Sequence, residues 1–208
     1  KHSMKVILLN GSPREKGCTY TGLRIIAEQL EKNGVESQMF WVGNRPVIGC
    51  TACLSCKKTG KCVYGQDMVN TVAEAMKEAD GFIVGSAVHY AGATGAATSF
   101  LDRLFYSMDR RFLKMKFGAS IVSCRRGGAS AAFDQLNKYF TINQMPIVSS
   151  CYWNQIHGNT PEEVYRDEEG VRTLKVLANN MAYLIKCKQQ SNLELPEEPE
   201  PAMTNFIR

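Results

Sequence analysis

Four cysteines fall close together as Cys50-x2-Cys53-x2-Cys56-x5-Cys62. Thiolates so near in sequence can reach one centre with little loop entropy to lose. The compact C-x2-C-x2-C repeat is an iron-sulfur spacing, although Cys62 follows five residues rather than three and Val63 stands where the bacterial run has proline. Structural zinc sites usually set two C-x2-C knuckles apart by a longer spacer, so zinc is the less apt metal. Buried or redox-active free thiols are the other reading of the same residues. A second group of residues suits anion chemistry. Ser12, Arg14, Thr19 and Thr21 lie in or just after residues 10–19 (NGSPREKGCT), where hydroxyl and guanidinium donors meet the start of a helical pattern. A helix N-terminus adds free backbone N–H groups and a positive dipole end, so a phosphate is the expected occupant.

The elements needed to hold these groups follow from periodicity. Residues 5–9 (KVILL) form an apolar run that fits a strand buried on both faces. Leu23, Ile26, Ala27 and Leu30 give residues 20–32 one buried helical face, ended by Asn33-Gly34. Residues 35–42 alternate and predict an edge strand; residues 43–66 form a long irregular segment holding the four cysteines. A loop of that length is uncommon without a function. Asp67 is placed to cap a helix reaching about Ala79, and strands are expected at 80–86, 117–123 and 145–151. Helices are expected over 95–109, from Gly128 to about Ile142, and over 168–188, the last with Leu174, Leu177, Ala178, Met181 and Ile185 inward. The alternation predicts an α/β doubly wound, five-stranded parallel sheet in the order 2-1-3-4-5 with helices on both faces. A ligand in such a sheet lies outside the carboxyl ends of the strands, between strands one and three. The loops at 10–18, 87–95 and 124–128 meet there, each rich in Gly, Ser, Thr or Arg. A P-loop ending and the Gly-x-Gly-x-x-Gly fingerprint are both absent, which narrows the site to a mononucleotide.

The composition fits one domain, residues 4–190, carrying the cysteine-rich loop 43–66 and followed by an extended acidic, Pro-rich tail over 191–208. With 25 Lys plus Arg against 20 Asp plus Glu the net charge is +5, and no basic cluster exceeds two residues, which argues against nucleic acid. Apolar runs reach only strand length, so no membrane association and a cytoplasmic location are expected. Eight cysteines in such a compartment favour metal or redox roles over disulfides. Cys124, Cys151 and Cys187 fall on element faces and are expected in the core.

Gly-Ser-Pro-Arg after the first strand, the cysteine loop after the second, Ser-x-x-x-Tyr with Gly-x-x-Gly after the third, and Asp102-Arg103 on the next helix carry a resemblance. Residues 4–153 resemble the flavodoxin-like NAD(P)H-dependent FMN reductases, and more narrowly their iron-sulfur flavoprotein relatives. That resemblance implies FMN, with its phosphate on Ser12, Arg14, Cys18, Thr19 and Tyr20. Its ring would lie against Ala87, Val88, His89, Tyr90 and Gly92, with Cys124, Arg125, Gly127 and Gly128 closing the other side. It also implies a [4Fe-4S] cluster on Cys50, Cys53, Cys56 and Cys62. Three positions depart from the family: Cys18 replaces an asparagine, Ala87 a proline, and His89-Tyr90 displaces the tyrosine. Asp102-Arg103 reads as an ion pair on the helix surface or between subunits. No side chain is assigned a catalytic role.

The expected activity is an FMN-dependent NAD(P)H oxidoreductase that passes electrons through FMN to a small-molecule or protein acceptor. Arg125 or Arg126 would meet the dinucleotide phosphates. Phe105, Tyr106 and Trp153 would line the acceptor pocket or simply belong to the core. The alternative is an iron-sulfur flavoprotein that takes electrons from ferredoxin-like partners. A non-catalytic flavodoxin is a third reading, opposed by the basic pI, since carriers generally use acidic surfaces to steer partners. The resemblance implies a homodimer or tetramer, with the tail and the 95–109 helix as candidate contacts.

Overall fold

The computed structural model describes residues 3–204 and 206. Its sheet runs β2-β1-β3-β5-β6, all parallel, from β1 (Lys5–Asn10), β2 (Glu36–Trp41), β3 (Gly81–His89), β5 (Phe117–Cys124) and β6 (Gln155–His157). A two-residue strand, β4 (Gly92–Ala93), folds back antiparallel on the end of β3. The expected doubly wound order is therefore present, with one short side strand added.

Period-two alternation sorts the central strands into two cores. Val6, Leu8, Ile83 and Ile121 face α1 (Cys18–Lys32) and α7 (Glu168–Gln190). Ile7, Leu9, Phe82, Val84 and Val122 face α3 (Val69–Lys77), α4 (Gly95–Ser107) and α5 (Ala129–Thr141). Strand β2 begins with three exposed residues, as an edge strand should. A five-residue helix, α2 (Ser55–Thr59), interrupts the cysteine loop, and α6 (Pro161–Val164) precedes α7.

The last strand departs from expectation. Residues 145–151 do not form it: Ile147 makes one isolated bridge to Gly118, through Gly118 N–H to Pro146 and Val148 N–H to Gly118. The chain then leaves the edge and rejoins at Asn154, which accepts from Val122 N–H, so that the polar segment Gln155–His157 completes the sheet. The apolar pattern of MPIV located the approach to the sheet and missed the excursion.

Two cysteine expectations are also corrected. Cys124 is buried, but Cys151 and Cys187 are exposed. Residues 191–204 carry no regular structure. They touch the body where Lys114 reaches Pro196 O and, at 3.0 Å, Glu198. The rest of the expected tail, residues 205, 207 and 208, lies outside the described residues. No helix among the described residues is long and apolar enough to cross a membrane.

Candidate functional site

The loop after β1 is organised by its own polar residues. Asn10 Oδ1 accepts from Ser12 N–H at 3.1 Å, Ser12 Oγ accepts from Arg14 N–H at 3.1 Å, and Asn10 Nδ2 donates to Glu15 O at 2.9 Å. Such Asx- and ST-type bonds hold a turn that proline and glycine already keep out of regular structure. Helix α1 starts after Gly17 with no side-chain cap, which leaves its first amides directed at the loop's concavity. Thr19 Oγ1 lies 2.8 Å from Ser123 Oγ, fixing the helix start to the end of β5.

The second loop is joined to the first. Gly11 N–H donates to Gly85 O at 2.8 Å, Thr94 Oγ1 donates to Gly11 O at 2.6 Å, and Ser86 Oγ accepts from Thr94 N–H at 2.9 Å. Any Cβ at Gly11 would stand 2.7 Å from Ala97 Cβ, so only glycine allows this approach. Between β3 and β4, Tyr90 and Ala91 both have positive φ (50° and 61°), the pattern of a type I′ hairpin turn. Neither residue is one that favours that region, and such strain is typical of ligand loops. Gly128, at φ 91°, lets the third loop pack beneath the hairpin; a Cβ there would meet Ala91 Cα at 2.7 Å.

Together the three loops surround an open cleft of about 380 Å³ at the carboxyl ends of the strands. It is lined by Ser12, Arg14, Cys18 and Thr19 from the first loop and helix start, by Ala87, Val88 and His89 from the second loop, and by Cys124 and Arg125 from the third. Tyr20, Tyr90, Gly92, Gly127 and Gly128, also expected at the site, are not among its lining residues. Tyr90 projects fully into solvent. Sequence reasoning missed Gly158 and Asn159, which line the cleft from beyond β6. It also missed Trp41, whose indole N–H donates to Ser12 O at 2.8 Å, and Thr94 as a site organiser. The N-cap rule could have found Thr94, which accepts from Ala97 N–H at 3.1 Å. Nothing local marks the others.

Two thiols face the cleft. Burial raises the pKa of both Cys18 and Cys124, which keeps them protonated at neutral pH. Cys18 Sγ contacts Gly158 O at 3.6 Å, and Cys124 O lies 3.1 Å from His157 Nδ1. Donors at one end and a small apolar wall of Ala87 and Val88 at the other suit a ligand with a phosphate and a flat ring. The residues present therefore fit FMN.

Cys50, Cys53, Cys56 and Cys62 all line a second pocket, with Tyr64, Arg103 and Tyr106. All four are free thiols. Ala52 and Leu54, at φ 54° and 61°, give the C-x2-C-x2-C segment its tight winding. Among the described residues no three His, Cys, Asp or Glu side chains are gathered as a site for one metal ion. The thiols surround the pocket instead, and the chemistry of the donor set, four sulfurs with a guanidinium beside them, fits an iron-sulfur group.

Asp102 and Arg103 do not pair with each other on the helix surface. Arg103 is 2% exposed and pairs with Asp67, while Asp102 accepts from Tyr139 Oη. Adjacent residues on a helix point about 100° apart, so one faces the cysteine loop and the other α5. Asp67 also accepts from Val69 N–H at 3.1 Å, a local turn bond, but the N-cap of α3 is Met68 and carries no side-chain cap, so the expected Asp67 cap is not formed. Phe105 belongs to the core, Tyr106 stands half-exposed at the cysteine pocket, and Trp153 is exposed against Tyr152.

Sheet order, the polar loop after β1 and the strained hairpin define a flavodoxin-like protein. The chain belongs to the NADPH-dependent FMN reductase family, which residues 4–160 match, and within it the iron-sulfur flavoproteins are its relatives. An iron-sulfur flavoprotein of Archaeoglobus fulgidus is 30% identical over 176 residues, 83% of this chain and 86% of that one. One from Methanocaldococcus jannaschii is 29% identical over 190 residues, 88% of this chain and 98% of that one. Among solved structures, RosB with a bound riboflavin-phosphate intermediate has a TM-score of 0.73 at 14% identity, covering 99% of this chain and 93% of its own. An archaeal flavodoxin has a TM-score of 0.56 at 18% identity over 88% and 99%. Those two likenesses concern the fold alone. Family membership makes the chain a flavoprotein oxidoreductase.

Proposed function

We propose that this protein is an FMN-dependent oxidoreductase that also carries a [4Fe-4S] cluster, on Cys50, Cys53, Cys56 and Cys62, and exchanges electrons with a ferredoxin-like protein. The observation that carries this reading is that all four thiols line one pocket, with Cys50 and Cys53 exposed there and Arg103 beside them. When bound, FMN supplies two-electron and one-electron chemistry and the cluster one-electron chemistry. Ser12, Arg14, Thr19 and the first amides of α1 bind the phosphate. Ala87, Val88 and His89 orient the ring, and Cys124 and Arg125 close the opposite wall. The protonated thiols of half-buried Cys18 and buried Cys124 act there as weak donors and not as nucleophiles.

Anaerobic reconstitution tests this reading. The expected result is close to four iron atoms per chain with a charge-transfer absorption beside the flavin bands. Iron below one atom per chain would overturn it.

A second reading, a flavin reductase that oxidises NAD(P)H, is favoured by the open cleft with Arg125 exposed at its margin. A dinucleotide would have to lie over the flavin, with the Arg125 guanidinium meeting its phosphates. Stopped-flow mixing with NADH and with NADPH separates the two: rapid flavin bleaching supports the reductase, and no bleaching with either removes it. We further propose that residues 4–190 act as one FMN-binding domain, that the protein works in the cytoplasm, and that it is a homo-oligomer.

A further inference from the structure

Arg103 lies on α4, behind the cysteine loop, with its side chain almost wholly out of solvent. A guanidinium has five N–H donors, and here all five are used. Nε donates to Cys62 Sγ at 3.2 Å; Nη1 donates to Ile48 O at 3.4 Å and to Asp67 Oδ2; Nη2 donates to Tyr64 O and, at 3.2 Å, to Asp67 Oδ1. One side chain thus joins the chain just before Cys50 to the chain just after Cys62. Cys62 is also held by its backbone, since its N–H donates to Asn70 Oδ1 and its carbonyl accepts from Asn70 Nδ2, both at 2.9 Å.

Stability alone does not account for a buried guanidinium paired with a partly exposed Asp67, because desolvation largely cancels the attraction and an apolar residue of similar volume often does as well. What an apolar residue could not do is donate to a sulfur and to two loop carbonyls at once. Cys62 is the thiol outside the compact repeat, and of the four it is the one whose sulfur Arg103 touches. Hydrogen bonds to ligand sulfurs and nearby charge are main determinants of iron-sulfur potential.

We propose that Arg103 is the positioning residue of the cysteine site: it clamps both ends of the loop, presents the Cys62 sulfur, and raises the reduction potential of the iron-sulfur group held there. The potential part rests on the cluster reading above; the clamp does not.

The test uses the full chain with Arg103→Lys and with the charge-neutral double variant Arg103→Gln/Asp67→Asn, FMN binding serving as the check that each has folded. Lysine keeps the charge but has no Nε and fewer donors. In iron-free protein, trypsin should cut after the exposed Lys57, Lys58 and Lys61 about tenfold faster in both variants, the loss expected for a charge-assisted hydrogen bond. After reconstitution, an EPR-monitored redox titration should show the double variant about 59 mV lower for a tenfold loss in the one-electron equilibrium, with Arg103→Lys in between. Iron in the wild type with unchanged cleavage and unchanged potential overturns the inference and leaves the cluster reading standing. No iron in the wild type overturns the cluster reading and the potential claim with it; unchanged cleavage in that protein overturns the clamp too.

Discussion

Thr94 Oγ1 donates to the carbonyl of Gly11 at 2.6 Å while accepting from Ala97 N–H, so one hydroxyl joins the loop after β1, the hairpin loop and the start of α4. Thr94→Val keeps the shape and removes both bonds. Loss of the cap and of a buried bond should lower stability by about 1–3 kcal/mol. Because the two loops are then uncoupled, FMN affinity should fall as well, by roughly tenfold, in a fluorescence titration. Unchanged affinity with lowered stability would mean that the bond serves the fold only.

Arg14 is exposed at the cleft and, among the described residues, commits only its backbone N–H, to Ser12 Oγ. Its guanidinium is free to meet a dianionic phosphate. Arg14→Ala should weaken FMN binding by about ten- to a hundredfold, the range for a charge-assisted bond, and should flatten the salt dependence of binding. Riboflavin, which has no phosphate, should bind both proteins equally in the same titration.

The thiols separate into reactive and protected sets. Hydrogen bonds from the Ser55 backbone and side chain lower the pKa of exposed Cys53, whereas burial raises those of Cys18 and Cys124. In iron-free protein at neutral pH, iodoacetamide should label Cys53 well before the two cleft thiols, since the thiolate is the reacting form. Added FMN should slow labelling at Cys18 and Cys124 further and leave Cys53 unaffected. Peptide mapping by mass spectrometry reads all three.

Lys116 is buried and donates to Ala79 O; burial pulls its pKa down to about 8. Its folded value lies below the unfolded value near 10.4, so between the two the unfolded chain holds the extra proton and stability from this residue rises with pH. Below pH 8 both states are charged and the full penalty is present. Wild type should therefore gain about 1–3 kcal/mol relative to Lys116→Met between pH 7 and pH 10 in urea melts. Parallel pH profiles for the two proteins would refute this.

Much of the fold was legible because its signals are local. The apolar run at residues 5–9 could only be a doubly buried strand, and the weaker alternation after it marked an edge. Failures came where partners are remote. Arg103 and Asp67 are 36 residues apart, and nothing in the helix pattern says that this Arg faces inward. Gly158 and Asn159 enter the cleft only because the edge strand forms late, at residues 155–157, from residues with no strand-like pattern. In the cysteine loop the spacing revealed a shared destination, while Arg103, Asn70 and Tyr106, which surround it, come from helices chosen by tertiary packing.

The broken edge strand affects how copies of this protein behave when crowded. A long, flat outer strand offers a row of unpaired amides on which another sheet can grow. Here the outer row is a single bridge at Ile147, an outward detour carrying Tyr152 and Trp153, and three residues of β6. That outline is too short and too uneven to seed cross-β stacking, so this side of the sheet is protected against aggregation by its own irregularity.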